Sequence, residues 1–89
     1  MKLTIVGTGY VGLVTGVCFA EFGYETICLD NDESRISELK KCKCPFFEPG
    51  MDDLLSKHYN KTKLLTFTSS LKEAMKDVDI IFITVGTPT

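Results

Sequence analysis

The sequence contains no apolar run approaching the roughly 20 residues of a membrane-spanning helix, so no segment reads as a span. It has no basic excess. Ten Lys and Arg stand against twelve Asp and Glu, for a net charge of -2, and the lysines are scattered apart from Lys40, Lys41 and Lys43. A nucleic-acid surface needs a clustered basic face, so no nucleic-acid partner is expected. The three clustered lysines read as the cationic end of a helix. Histidine is nearly absent: His58 stands alone, too few ligands to join Cys42 and Cys44 in a metal site. The four cysteines do not read as a disulfide framework either. Cys18 falls in a helical pattern and Cys28 in a strand pattern, both as small buried hydrophobes, while Cys42 and Cys44 are loop thiols. The start lacks the marks of a secretory leader. Lys2 is its one positive charge, glycines interrupt the apolar stretch, Glu21 follows, and no small-x-small cleavage site is present. A cytoplasmic location is therefore expected. Internal repeats, low-complexity tracts and linkers are also missing.

What is present is the composition of one small globular domain: 89 residues, 44% apolar and 25% charged. Residues 2–6, Lys-Leu-Thr-Ile-Val, predict a buried strand ending at Gly7. Residues 10–22 predict a helix with Val11, Val14, Cys18, Phe19 and Phe22 at helical spacing, closed by Gly23. A second strand covers 25–30. A second helix starts near Asn31–Ser34 with Ile36 and Leu39 inward. "CKCPFFEPG" at 42–50 is a loop, broken by Pro45 and Pro49. Residues 51–59 predict a short helix and 64–68 a third strand. Ser69 or Ser70 caps a helix through Met75, with Glu73 at capping-box spacing. Residues 79–85 are apolar at nearly every position, as in a strand covered on both faces. Strands alternating with helices imply an α/β fold, a Rossmann-type parallel sheet of order 3-2-1-4 with right-handed crossovers. A doubly wound domain continues beyond a fourth strand, so an incomplete domain is expected.

The glycines of "GTGYVG" carry the chemistry. The pattern follows a predicted strand, opens a predicted helix, and has Asp30 at the end of the next strand, 18 positions after Gly12. Gly7 allows a tight turn, Gly9 lets a pyrophosphate approach the backbone, and Gly12 lets helix and sheet pack closely. The helix N-terminus offers free N–H groups to phosphate. Asp30 suits ribose hydroxyls and repels a 2′-phosphate, which favours NAD over NADP. Arg35 reads as packing beside the adenosine or pairing with Asp30. Ligands of open parallel sheets sit outside the carboxyl ends of the strands, so Gly86-Thr87-Pro88 is expected to face the same crevice, with Thr87 at the cofactor.

Together, "IVGTGYVGL", "LDNDESRI", "FFEPGM" and "ITVGTPT" resemble the NAD-binding N-terminal domain of the UDP-glucose/GDP-mannose 6-dehydrogenase family over essentially all 89 residues. The resemblance implies that the parent oxidises a nucleotide sugar twice, to the uronic acid, with two NAD. It places the turn of Gly7, Gly9 and Gly12 at the pyrophosphate with Tyr10 and Val11 at the cofactor, Asp30 at the ribose, Arg35 at the family's basic position five residues later, and Thr87 in the cofactor loop. The family's usual Tyr before Glu-Pro-Gly is Phe47 here, so that loop is given no catalytic role. The resemblance also implies that the catalytic cysteine, the lysine and the nucleotide-sugar domain lie downstream. Residues 1–89 then form the N-terminal part of the NAD-binding domain, truncated, with no catalytic residue and no activity of their own. The alternative is a regulatory Rossmann module that senses NAD or NADH without chemistry. Self-association through strand 79–85 is expected as well, because an apolar strand edge invites pairing between chains.

Overall fold

The computed structural model describes residues 1–84. Its element order is β1 (Lys2–Val6), α1 (Tyr10–Glu21), β2 (Glu25–Leu29), α2 (Glu33–Lys40), α3 (Met51–Ser56), β3 (Leu65–Thr68), α4 (Leu71–Ala74) and β4 (Ile80–Ile83). A π-helical turn, Lys57–Lys61, continues α3 without a break. The four strands form one sheet of order β3-β2-β1-β4. All pairings are parallel: Ile5 stands beside Cys28 and Phe82, and Cys28 beside Phe67. The jump from β3 across to β4 makes the carboxyl ends of β1 and β4 a topological switch point, where ligands of such sheets bind.

Strand side chains alternate between the two faces. On one face Ile5, Cys28, Leu65 and Phe67 meet Leu13, Val17 and Ala20 of α1, Ile36 and Leu39 of α2, and Met51 and Leu55 of α3 in a single buried cluster. The other face is thinly covered. There the short α4 is tied down by the buried Thr4, whose hydroxyl donates to the Ala74 carbonyl.

Two sequence expectations change. The buried stripe of α1 is Gly12, Leu13, Gly16, Val17 and Ala20. It is not the expected set: Val11, Cys18 and Phe22 are exposed. The helix is apolar all round, so periodicity has little contrast to report. Close approach to the sheet selects the small side chains instead. β4 lies at the sheet edge, and only Phe82 packs inward, its ring 5.0 Å from that of Phe19.

The helix ends follow local chemistry. α1 closes on Gly23, at φ 92°, with Gly23 N–H donating to Ala20 O and Tyr24 N–H to Phe19 O. This is a Schellman arrangement, completed by the Phe19–Tyr24 ring contact at 6.2 Å. Ser70 caps α4 by accepting from the Glu73 N–H at 3.2 Å. The Glu73 carboxylate does not reach back to the Ser70 N–H. Thr68 stands between them, its hydroxyl donating to Glu73 at 2.7 Å and accepting from Ser70 N–H at 3.0 Å.

Candidate functional site

Each glycine of the opening turn answers a different constraint. Gly7 leaves β1 at φ 103°, a left-handed backbone that side chains disfavour. Gly12 is buried where α1 crosses the turn. A Cβ there would overlap the Gly7 carbonyl oxygen and crowd Oγ1 of Thr84. Thr84 itself closes the turn, its hydroxyl donating to Val6 O at 2.9 Å. Gly9 differs from both. Its φ of -70° suits any residue, and an added Cβ would meet nothing within 4 Å among the described residues. Residues 1–84 give no internal reason for glycine at this position. The free space lies at the N-terminus of α1, where a ligand would approach the backbone.

Among the described residues no side chain caps that N-terminus. α2 is capped by Asp32 and α4 by Ser70, but α1 has no side-chain cap and no acidic residue in its first turn. Among the described residues its leading N–H groups have no side-chain acceptor and its positive dipole end no counter-charge, and an anion supplies both. Tyr10 and Val11 begin the helix and project outward. The Tyr10 ring lies 5.0 Å from Phe46, which ties the 42–50 loop to the turn, and Val11 is 62% exposed.

Asp30 stands at the carboxyl end of β2, beside the turn. Its Oδ2 accepts from the Thr8 N–H at 3.0 Å and the Thr8 hydroxyl at 2.7 Å, and its Oδ1 from the Asp32 N–H at 2.9 Å. Partial burial works against its charge. The hydrogen bonds outweigh that cost, with help from the positive field of Arg35, and hold the carboxyl below its ordinary value. Asp30 also lines a largely apolar cavity of about 290 Å³ with Val6, Gly7, Leu29, Ser69 and Leu71, at the carboxyl ends of β1, β2 and β3. A larger hollow of about 530 Å³ is lined only by the loop and helix start from Cys44 to Asp53, with no residue of the turn.

The chain matches along residues 1–89 the model for the "UDP-glucose/GDP-mannose dehydrogenase family, NAD binding domain". It belongs to that family. It is 52% identical over 89 residues to the UDP-glucose 6-dehydrogenase of Rhizobium meliloti, covering 100% of this chain and 20% of that protein. Against the UDP-glucose 6-dehydrogenase TuaD of Bacillus subtilis it is 49% identical over 87 residues, covering 98% of this chain and 19% of the relative. Its fold superposes on a ternary complex of GDP-mannose dehydrogenase from Pseudomonas aeruginosa with a TM-score of 0.93 and 38% identity, covering 100% of this chain and 20% of the other. The chain thus spans about a fifth of the length of these relatives. NAD is the cofactor of the matched domain, and nothing in these likenesses favours the regulatory module.

The structure gathers Gly7, Gly9, Tyr10, Val11, Gly12 and Asp30 around one sheet end. Arg35 stands apart from direct contact. Among the described residues it forms no ion pair with Asp30, and it lines a neighbouring groove with Asp32, Glu38 and Lys43. The expected pairing with Asp30 is therefore reduced to a field across space, because the Asp30 oxygens are turned to Thr8 and Asp32. Thr87 lies outside the described residues. Sequence reasoning missed Thr8, whose only signal was a hydroxyl at a variable position of the motif. It also missed Thr84 and the Tyr10–Phe46 contact. Among the described residues no three His, Cys, Asp or Glu side chains gather as a metal would require, and no helix is long and apolar enough to cross a membrane.

Proposed function

We propose that this chain holds NAD across the turn Gly7–Gly12, as the N-terminal part of the NAD-binding domain of a nucleotide-sugar dehydrogenase. The observation that carries this reading is Gly9, a glycine that among the described residues neither backbone nor packing requires, at a start of α1 that none of their side chains caps. The pyrophosphate takes the leading N–H groups of α1, with Tyr10 and Val11 beside it. Asp30 takes the adenosine ribose, and the adenine enters the apolar cavity between Leu29 and Leu71. Arg35 is assigned to the adenosine side, and Thr87 to contact with the cofactor. The bound nicotinamide supplies a hydride acceptor. In a longer protein of this family the substrate is a nucleotide sugar, of which UDP-glucose is the best supported by the relatives' names. No residue among the 89 is given a catalytic role, and the chain alone is expected to produce no NADH from NAD and UDP-glucose. On this reading it works in the cytoplasm, where its four unpaired thiols stay reduced.

The test is titration with NAD and, separately, NADP, followed by amide chemical shifts. Shifts at Gly9, Val11 and Asp30 with NAD, and weaker ones with NADP, are expected. Gly9→Val should melt within a few degrees of the parent yet bind NAD more than about tenfold more weakly, because its side chain fills the phosphate's approach. A folded parent chain that shows no shift with either nucleotide overturns the proposal.

A further inference from the structure

Thr8 is fully buried between the first two glycines of the turn, and both of its donors are spent on one atom, Oδ2 of Asp30. A carboxylate offers about four lone-pair sites, two on each oxygen. Thr8 fills both on Oδ2, and the Asp32 N–H fills one on Oδ1. Among the described residues nothing takes the remaining site on Oδ1, which is left for a ligand. We propose that Thr8 is a positioning residue that locks Oδ2 of Asp30, so that Asp30 accepts one ribose hydroxyl, the 2′, instead of clasping the 2′,3′-diol with both oxygens. The 2′-hydroxyl is the one that an acid at the end of the second strand reaches in this fold. Because the donors belong to the phosphate turn itself, the carboxylate is oriented by the same residues that receive the pyrophosphate. Ribose and phosphate are then held as one rigid unit. This inference rests on the NAD-binding reading above.

A purely structural tie between the ends of β1 and β2 would affect stability without changing which hydroxyl is read, so ligand analogues separate the two roles. The 89-residue chain is titrated calorimetrically with NAD, with NAD lacking the 2′-hydroxyl of the adenosine ribose, and with NAD lacking the 3′-hydroxyl. Removing the 2′-hydroxyl should weaken binding about tenfold, and removing the 3′-hydroxyl less than about threefold. Thr8→Ser keeps both donors and should stay within about threefold of the parent for NAD. Thr8→Val keeps the N–H but loses the hydroxyl. It should bind NAD about tenfold more weakly and lose the discrimination between the two analogues, because the carboxylate, held at Oδ2 by the N–H alone, is no longer fixed and one Oδ2 site opens to the 3′-hydroxyl. Equal losses for the two analogues in the parent chain overturn the inference alone. So does a Thr8→Val chain that discriminates as the parent does, or a Thr8→Ser chain as weak as Thr8→Val. If Thr8→Val does not fold, the analogue series and Thr8→Ser still decide. A parent chain that binds no NAD overturns the underlying reading and this inference with it.

Discussion

Gly12 and Gly16 lie one turn apart on the buried stripe of α1, and each is bounded by a different kind of neighbour. A Cβ on Gly12 would collide with the Gly7 backbone carbonyl, which can yield only if the turn itself moves. A Cβ on Gly16 would stand 2.7 Å from Cys28 Sγ, with Ile5 and Leu65 side chains at 3.7 Å. Gly16→Ala is therefore an overpacking change, expected to cost about 1–3 kcal/mol in urea denaturation. Cys28→Ala removes the obstructing sulfur, so the double variant should be more stable than the sum of the single losses implies, by about 0.5 kcal/mol or more. Gly12→Ala should cost more than Gly16→Ala, and no side-chain truncation should restore it fully. Additive losses at 16 and 28 would show that the helix shifts as a body instead. These glycine roles were legible in the sequence because the turn fixes their order. Thr8 was not. Its burial and its two bonds to Asp30 depend on how β1 and β2 end side by side, 22 residues apart along the chain.

The strands, helices and sheet order could be read from the sequence because each is bounded by local punctuation, such as Gly7, Gly23, Asp32, Pro45 and Ser70. The orientation of α1 could not, since a helix apolar on every side gives periodicity nothing to distinguish. The sheet decides it, drawing the small residues inward and turning Cys18 to solvent. The two cysteines expected to be buried are thus separated by element. Cys28, at 0% exposure on β2, has its thiol pushed up to about 12 by burial, while Cys18 lies on the open side of α1. At mildly alkaline pH an alkylating reagent should modify Cys18 in the folded chain and leave Cys28 untouched until urea unfolds it, as read by peptide mass spectrometry. Rapid labelling of Cys28 without denaturant would mean that α1 does not cover β2 as described. The π-helical turn was also beyond sequence reading. It seats His58 almost wholly inside, with Nε2 2.7 Å from Glu21 Oε1 and Nδ1 3.0 Å from the Thr62 hydroxyl. That pairing between distant elements has no local signature.

At the scale of the whole molecule the sheet is lopsided. One face is closed by α1, α2 and α3, whereas α4 covers only part of the other. β4 stands at the edge beside β1, and among the described residues nothing pairs with its outer side. Ile81 is 45% exposed and Ile83 73%, both on the thinly covered face, and Ile80 is 39% exposed. Free backbone groups beside apolar side chains form a template for another strand, and natural edges are commonly blunted by charge to prevent this. β4 carries no charge at any of its four positions, Ile80 to Ile83. We propose that the 89-residue chain pairs with copies of itself through this edge. Light scattering should report a mass that rises with protein concentration. Ile81→Lys together with Ile83→Lys should hold the chain monomeric, because lysine at these positions desolvates poorly and repels its counterpart across the pair. Both positions lie away from the buried cluster, so circular dichroism of the double variant should match the parent. A parent chain that stays monomeric at high concentration would overturn the proposal. A double variant that associates as readily as the parent would move the contact to other exposed apolar groups, of which Phe47, 92% exposed at the tip of the 42–50 loop, is the most prominent.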